Sequence, residues 1–255
     1  MRARRLLVTL LLASLAPLAA ASDKPALVAA ASDLKFALTE IAARFEADTG
    51  RRLQLTFGSS GNFARQIEQG APFELFLSAD EAFVFRLADA GRTRDRGALY
   101  AIGRIALLVP KGSPLALDPA LEGLRAGWPQ VRRFAIANPE HAPYGRAAEQ
   151  ALRALGLWDL ASPKLVLGEN IAQAAQFVTT RNADAGIVAL SLALAPELAR
   201  QADHVLLPER LHAPLRQRMV LTAAASETAR RFYDYLQQPA ARAVLRRFGF
   251  TLPGE

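Results

Sequence analysis

The chain has 255 residues, of which 51% are hydrophobic and 22% are charged. This apolar content excludes a disordered chain, and the length is enough for one large or two medium-sized domains with a substantial core. There is no cysteine, which excludes disulfides, thiolate metal sites and cysteine nucleophiles. The 16 glycines and 15 prolines show no period, which excludes collagen-like and low-complexity classes.

The first 21 residues have the composition of a secretory signal peptide. Three arginines precede an apolar stretch at Leu6–Ala16, and the small residues Ala19–Ala21 fit a cleavage site before Ser22. The stretch is too short to span a bilayer, so we expect an exported, cleaved protein rather than an anchored one. Removing the signal leaves 28 basic and 24 acidic residues, a net charge of +4. That excess is scattered, which favours an ordinary mixed-charge surface over a nucleic-acid interface.

The first half of the exported chain alternates short apolar strands with segments of helical periodicity. The pattern predicts strands at Ala26–Ala31, Leu53–Phe57 and Glu74–Leu77, each followed by a helix, and these helices end at Gly50, Gly70 and Gly91. A β-α-β-α-β-α order implies a mostly parallel sheet with right-handed crossovers.

The second half repeats this theme. Strands are predicted at Arg104–Val109, Phe134–Ala137, Gly186–Leu190 and Arg218–Ala223, and helices at Tyr144–Leu155, Ile171–Arg181 and Thr228–Phe248, the last with a break at Pro239. The first β-α run is complete before Tyr100, which favours two α/β lobes over a single sheet. No segment has the composition of a flexible linker, so we expect short hinge segments between the lobes.

Common enzyme signatures are missing from the sequence. It has no G-x-S-x-G, Walker or H-E-x-x-H motif, and the three histidines lack metal-ligand spacing. The loop Gly58–Gly61 is similar to a phosphate-binding loop, but no Lys-Ser or Lys-Thr follows it. For an enzyme, Glu140 and His141 would be the nearest candidate bases.

Four predicted helices begin directly after short turns. Ser32 and the pair Ser59–Ser60 each stand between a strand and a helix, while Tyr144 and Ile171 stand at helix starts in the second half. In parallel α/β sheets such turns gather at the carboxyl edge of the strands, where free backbone N–H groups favour an anion. The alternative is that the serines are ordinary helix caps. The combination of both halves favours a cleft that binds an anion.

Several motifs, taken in order along the chain, closely resemble the periplasmic molybdate-binding proteins of ABC importers. The segments that carry the resemblance are Ala30–Leu34, Phe57–Gly61, Ala64–Pro72, Leu77–Asp80, Asn138–Gly145, Leu155–Trp158, Phe232–Leu236 and Arg247–Phe250.

The resemblance implies an α/β protein of the two-lobed type II binding-protein class, with two hinge crossings and the ligand in the cleft between the lobes. Lobe I would comprise residues 22–102 and 209–255, and lobe II residues 103–208. The implied function is the capture of molybdate and tungstate in the periplasm and their delivery to an ABC permease. The implied protein is a monomer, not an enzyme, with no cofactor and no residue bonded directly to the metal atom.

Carried over by position, the hydroxyls and backbone of Ser32 and Ser60 bind the oxyanion from one lobe, and the backbone N–H groups of Tyr144 and Ile171 bind it from the other. The resemblance also implies supporting or direct contacts from a second set of residues: Asp33, Ser59, Gly61 and Asn170.

Two positions depart from the family pattern. Some relatives place a ligand-binding tyrosine where this chain has Ala189, so that donor is missing. Asp33 stands where a neutral residue is usual, and a carboxylate beside a dianion is unfavourable, so we expect its side chain to turn outward and stabilise the first helical turn. Three alternatives stay open: another oxyanion such as phosphate or sulfate, a sensor that presents its ligand to a signalling partner, and an enzyme on the same scaffold.

Overall fold

A computed structural model describes residues 24–254, which form two α/β lobes, each built around a five-stranded sheet. The prediction of two lobes is therefore confirmed. The predicted signal peptide, residues 1–21, lies outside the described residues. Among the described helices, none is both long enough and apolar enough to cross a membrane.

Lobe I combines the beginning and the end of the described chain. Its strands are β1 (Ala26–Ala31), β2 (Leu53–Gly58), β3 (Leu75–Ser78), β4 (Ala98–Gly103) and β10 (Leu215–Leu221). Its helices are α1 (Lys35–Thr49), α2 (Ser60–Glu68), α3 (Glu81–Asp89), α10 (Glu227–Tyr235) and α11 (Pro239–Arg247).

Lobe II is formed by the middle of the chain. Its strands are β5 (Ile105–Pro110), β6 (Phe134–Ala137), β7 (Leu165–Gly168), β8 (Ala185–Ala189) and β9 (Ala202–Leu206). Its helices are α4 (Glu122–Gly127), α5 (Pro143–Ala154), α6 (Trp158–Ala161), α7 (Ile171–Thr179), α8 (Leu190–Ala193) and α9 (Pro196–Ala199).

The two sheets have the same topology. Their strand orders are β2-β1-β3-β10-β4 and β7-β6-β8-β5-β9. One strand in each sheet, β10 or β5, is antiparallel to both of its neighbours, and the other strands run parallel to one another. The predicted mostly parallel arrangement is thus correct in both lobes.

The chain crosses between the sheets twice. Only Arg104 separates β4 from β5, and residues 207–214 lead from β9 back to β10. Both connections are short, as expected for a chain in which no segment has the composition of a flexible linker. The predicted lobe boundaries, after residues 102 and 208, lie beside these crossings and stay a prediction.

Each lobe has its own apolar core, and the two lobes touch. In lobe I, Leu38, Ile41 and Phe45 of α1 are fully buried at helical spacing against the sheet. The core of lobe II also contains Ala31 and Ala79 from lobe I. Ala31 is the last residue of β1, and Ala79 directly follows β3. The carboxyl edges of the two sheets therefore face each other across a closed cleft.

Three strands, β4, β7 and β9, were not predicted from the sequence. All three lie at the edge of a sheet and pair on one side only, and each is only partly buried. A half-buried edge strand carries a weak apolar pattern, which explains the omission. The helices α6, α8 and α9 have four residues each, too few to show a helical period, and Leu190 begins α8 instead of ending β8.

Candidate oxyanion site between the lobes

The two serine turns of lobe I lie side by side. Ser32 follows β1 and opens a short 3-10 turn, Ser32–Leu34, that leads into α1. Ser59 follows β2, and Ser60 is the first residue of α2. Because β1 and β2 are parallel neighbours with Ala31 paired to Gly58, both turns leave the sheet at the same edge.

One small cavity brings together the four residues that the sequence singles out. Ser32, Ser60, Tyr144 and Ile171 all line it. All four are at most 3% exposed. The remaining lining residues are Ala31, Asp33, Gly58, Ser59, Ala79, Ala142 and Pro143. No lining residue among those described has a positively charged side chain, so an anion here would meet neutral donors.

Both serine hydroxyls are oriented by a backbone N–H group. Ser60 Oγ accepts a hydrogen bond from the Ala79 N–H at 2.9 Å. Ser32 Oγ accepts one from the Ala172 N–H at 3.2 Å, across the cleft. A hydroxyl that accepts in this way keeps its own proton for donation. Each serine can therefore donate a hydrogen bond to a ligand in the cavity.

The backbone of lobe II supplies two further donors. Tyr144 and Ile171 are the second and first residues of α5 and α7, positions where the N–H has no acceptor inside the helix. The Asn170 side chain caps α7 by accepting from the Ala172 and Gln173 N–H groups, which leaves the Ile171 N–H free of the cap. Two helix N-termini aimed at one cavity favour negative charge there.

Ser59 and Gly61 join the two lobes. The Gly61 N–H donates to the His141 carbonyl at 3.0 Å, and Ser59 Oγ lies 2.9 Å from His141 Nδ1. A Cβ added at Gly61 would lie 2.7 Å from the His141 carbonyl oxygen, so only glycine permits this approach. Farther out, Asn62 Nδ2 donates to Glu169 Oε1 at 2.6 Å, also across the cleft.

The prediction that Asp33 turns outward is wrong. Its side chain is buried, with 1% exposure, and it lines the cavity. Asp33 Oδ2 accepts hydrogen bonds from the Tyr144 hydroxyl at 3.0 Å and from Gln217 Nε2 at 2.7 Å. An outward side chain would have kept the carboxylate in water. Instead, the Tyr144 hydroxyl and the Gln217 amide lie inside the interface between the lobes and hold the carboxylate there. Burial raises the pKa of Asp33 to about 6, although the hydrogen bonds from Gln217 and Tyr144 act in the opposite direction.

A buried network continues behind Asp33. Gln217 Nε2 also lies 3.0 Å from the Tyr144 hydroxyl, and the Tyr100 hydroxyl donates to Gln217 Oε1 at 2.6 Å. Burial raises the pKa of both tyrosines well above the usual value, so both are neutral. The phenol of Tyr144 is engaged by this network, so the structure gives it no role as a substitute for the tyrosine that is missing at Ala189.

Sequence analysis missed Tyr100 and Gln217, although one signal was present. In β10, Leu215, Met219 and Leu221 point inward, and Gln217 occupies the inward position between them with no exposed surface. A glutamine in the apolar register of a strand indicates a buried polar partner. Tyr100 lies in β4, which was not predicted at all.

The described residues contain no group of three or more His, Asp or Glu side chains that could hold a metal ion. A larger groove of about 660 Å³ adjoins the small cavity at Ser32. Lys35 is the one charged side chain among its described lining residues.

The family model for bacterial extracellular solute-binding proteins matches residues 26–251. The chain belongs to this family. It is 37% identical to the molybdate-binding protein ModA of Azotobacter vinelandii over 228 residues, which cover 88% of this chain and 89% of that protein. It is 35% identical to ModA of Rhodobacter capsulatus, over 83% of this chain and 82% of the relative.

The solved structure of the periplasmic molybdate-binding protein of Azotobacter vinelandii superposes with a TM-score of 0.82 at 31% identity, covering 89% of this chain and 99% of that one. The predicted fold class, a two-lobed type II binding protein, is thereby confirmed. The resemblance noted in the sequence motifs is also correct.

Proposed function

We propose that this protein captures molybdate, and also tungstate, in the periplasm and delivers it to the permease of an ABC importer. Membership of the solute-binding family and the similarity to molybdate-binding proteins support this assignment. The observation that carries it is the convergence of four neutral donors on one buried cavity: the hydroxyls of Ser32 and Ser60 and the N–H groups of Tyr144 and Ile171.

Four hydrogen bonds to a charged ligand are enough for tight binding. Each is worth about 1.5–3 kcal/mol, because the acceptor carries a full charge in a site without water. Part of this energy offsets the ordering of the lobes on closure. The donors lie on two lobes, and we infer that the spacing they take in the closed protein suits molybdate and tungstate better than the smaller sulfate.

The arrangement supports binding rather than catalysis. Ser32 and Ser60 each accept from a backbone N–H group, and Asp33 is bonded to Tyr144 and Gln217, so neither of these two serines has a base beside it. The third serine of the cavity lining, Ser59, lies beside His141, and this pair joins the two lobes. The nearest carboxylate, on Glu169, is 3.8 Å from His141 Nε2, beyond hydrogen-bond reach. We therefore infer a receptor and no enzyme, with no cofactor.

Titration calorimetry with molybdate, tungstate, sulfate and phosphate tests the proposal. We expect one molybdate or tungstate ion per chain, with sulfate and phosphate bound far more weakly. A preference for sulfate or phosphate would leave the fold assignment unchanged, and that anion would replace molybdate as the proposed ligand. Equal affinity for the four anions, or turnover of an anion ester, would contradict the assignment.

Ser60→Ala provides the matched test of the site. It removes one donor to the anion, so we expect molybdate affinity to fall by about 1.5–3 kcal/mol. Ser226→Ala is the control, because Ser226 Oγ caps α10 by accepting from the Ala229 N–H, away from the cleft. Unchanged affinity in Ser60→Ala, or an equal loss in the control, would refute the placement of the ligand.

A further inference from the structure

The Asp33 carboxyl group has one oxygen that is fully engaged and one that is not. Oδ2 accepts from Tyr144 and Gln217, whereas Oδ1 is buried and has no hydrogen-bond partner among the described residues. A buried polar atom without a partner is costly and needs an explanation, such as a water, an ion or a ligand. Asp33 also lines the cavity of the proposed anion site, so the bound oxyanion is the nearest candidate partner for Oδ1.

Among the described residues, no cation lies against Asp33 to balance its charge, although the backbone N–H groups of Asp33 and Leu34 also lower its pKa. The titratable side chains that face it are Tyr144 on α5 and Tyr100 on β4, both neutral. From β10 it meets the neutral amide of Gln217, and from α8 the Ser191 hydroxyl, which donates to the Asp33 carbonyl. The start of α7 brings Ile171 and Ala172, which carry no charge.

Two further groups lie near the cavity. Lys35, two residues along the chain, lines the adjoining groove, and no ion pair joins it to Asp33 among the described residues. His141 reaches Ser59 at the other side of the cavity.

An ionised Asp33 is incompatible with a dianion in the same cavity. Molybdate is fully deprotonated near neutral pH, so it only accepts hydrogen bonds. A carboxylate also only accepts, and two negative charges in a buried site repel strongly. A protonated carboxyl group carries no charge and donates one hydrogen bond.

We propose that Asp33 takes up one proton at Oδ1 when the protein binds its oxyanion, and that this O–H is a fifth donor to the ligand. The inference rests on the proposed function. The proton comes from solvent, remains on Asp33 in the complex and returns to solvent on release, and no other bond is made or broken. Delivery and capture would thus each be coupled to one proton.

The raised pKa of Asp33 supports this assignment and gives the direction of the pH dependence. In this closed conformation the carboxyl ionises at about pH 6. The bound dianion raises the pKa further, because it favours the neutral form. Affinity for molybdate therefore falls as pH rises above the pKa of Asp33 in the free protein, by up to about tenfold per pH unit between pH 6 and pH 8.

Asp33→Asn tests this inference because asparagine is close to aspartate in size and its amide N–H₂ donates without a proton. We expect the variant to bind molybdate with an affinity that varies by less than about threefold between pH 6 and pH 8, and more tightly than the wild type at pH 8. Calorimetry of the wild type at pH 8 in buffers of different ionisation enthalpy should show about one proton taken up per molybdate.

Two controls separate Asp33 from its neighbours. Ser60→Ala should bind more weakly at each pH with the wild-type slope. His141→Asn keeps a group that can bond to Ser59 and removes the imidazole beside the cavity, and the slope should persist.

The outcomes distinguish this inference from the proposed function. Tight molybdate binding that does not change with pH, or a slope that remains in Asp33→Asn, overturns the role of Asp33 and leaves the receptor intact. Tight phosphate binding at pH 8 with weak molybdate binding would mean that the ligand brings the proton, and it overturns both. So does the failure of every tested oxyanion to bind.

Discussion

The two lobes share one topology and provide different chemistry to the cleft. Both sheets have the same strand order with one reversed strand. In the proposed site, lobe I provides side chains, namely Ser32, Asp33 and Ser60, whereas lobe II provides the backbone N–H groups of Tyr144 and Ile171. A backbone N–H group is retained in almost any substitution, whereas a side-chain donor is lost when its residue is replaced. Lobe I is therefore where a change of residue can change the ligand.

The donors of lobe I also differ in what orients them. Ser60 Oγ is held by the Ala79 N–H of its own lobe, while Ser32 Oγ is held by the Ala172 N–H of the other. We therefore expect Ser60 to be in place whether the cleft is open or closed. We expect Ser32 to reach its final geometry only on closure, which would make closure part of ligand recognition.

The largest effect is expected when the lobes are kept apart. In Gly61→Ala the new Cβ would lie 2.7 Å from the His141 carbonyl oxygen, so closure is obstructed. The donors of lobe II would then miss the anion, a loss of about 3–6 kcal/mol if both are lost. Calorimetry measures the affinity, and small-angle scattering with molybdate reports closure. Wild-type affinity in this variant would mean that lobe II donates little.

Asp33→Asn should stabilise the closed conformation described here at alkaline pH. The pKa of this carboxyl rises from 3.8 to about 6 on folding. Its contribution to stability is therefore present below pH 3.8 and is lost as pH rises through about 6. At pH 8 the loss is about 3 kcal/mol, which the neutral amide avoids.

Urea unfolding at pH 4 and pH 8 measures this difference. We expect a gain in Asp33→Asn at pH 8 and little change at pH 4. Asp118→Asn is the control, and we expect it to lower stability at pH 8. The backbone N–H groups of Gly123 and Glu122 lower the pKa of that carboxyl, so its ionised form stabilises the folded protein. A variant of Asp33 that is less stable than the wild type at pH 8 would contradict the cost assigned to the buried charge.

Ile171→Pro removes one backbone donor from lobe II. Proline suits the first position of a helix, and Asn170 before it is already extended at φ −152° and ψ 173°. We expect molybdate affinity to fall by about 1.5–3 kcal/mol with α7 retained. Ile171→Val, which keeps the N–H, is the matched control. Equal affinities in the two variants would show that this N–H does not reach the ligand.

Tyr144→Phe should have the smallest effect on affinity. The phenol donates to Asp33 and not to the ligand, so we expect less than about a threefold change at pH 6 and a stability loss of about 1 kcal/mol. The hydrogen bond lowers the pKa of Asp33, so its removal should move the fall in affinity to higher pH. A large loss at pH 6 would place the phenol on the ligand.

Much of the proposed site could be predicted from the sequence because its proposed donors lie at the ends of strands and the starts of helices. Strand ends and helix starts are local features, so apolar patterns and turns indicated Ser32, the pair Ser59–Ser60 and the helix starts at Tyr144 and Ile171, and the family resemblance then selected Ser60 from the pair. The structure brings these four into one cavity.

The orientation of Asp33 could not be found in the same way. It depends on Tyr144 and Gln217, which are 111 and 184 residues away along the chain. Only the packing of both lobes brings these partners together, and no local pattern around Asp33 indicates them. The edge strands β4, β7 and β9 were missed for a similar, non-local reason. Their own apolar patterns are weak, and pairing with the one neighbouring strand stabilises them.

A crystal structure of the molybdate complex, with the ion located by its anomalous scattering, tests the central claim most directly. The predicted result is a single anion in the small cavity, with its oxygens within about 3 Å of the hydroxyls of Ser32 and Ser60 and the N–H groups of Tyr144 and Ile171. An anion in the adjoining groove beside Lys35, with the small cavity free of it, would contradict recognition by neutral donors from both lobes.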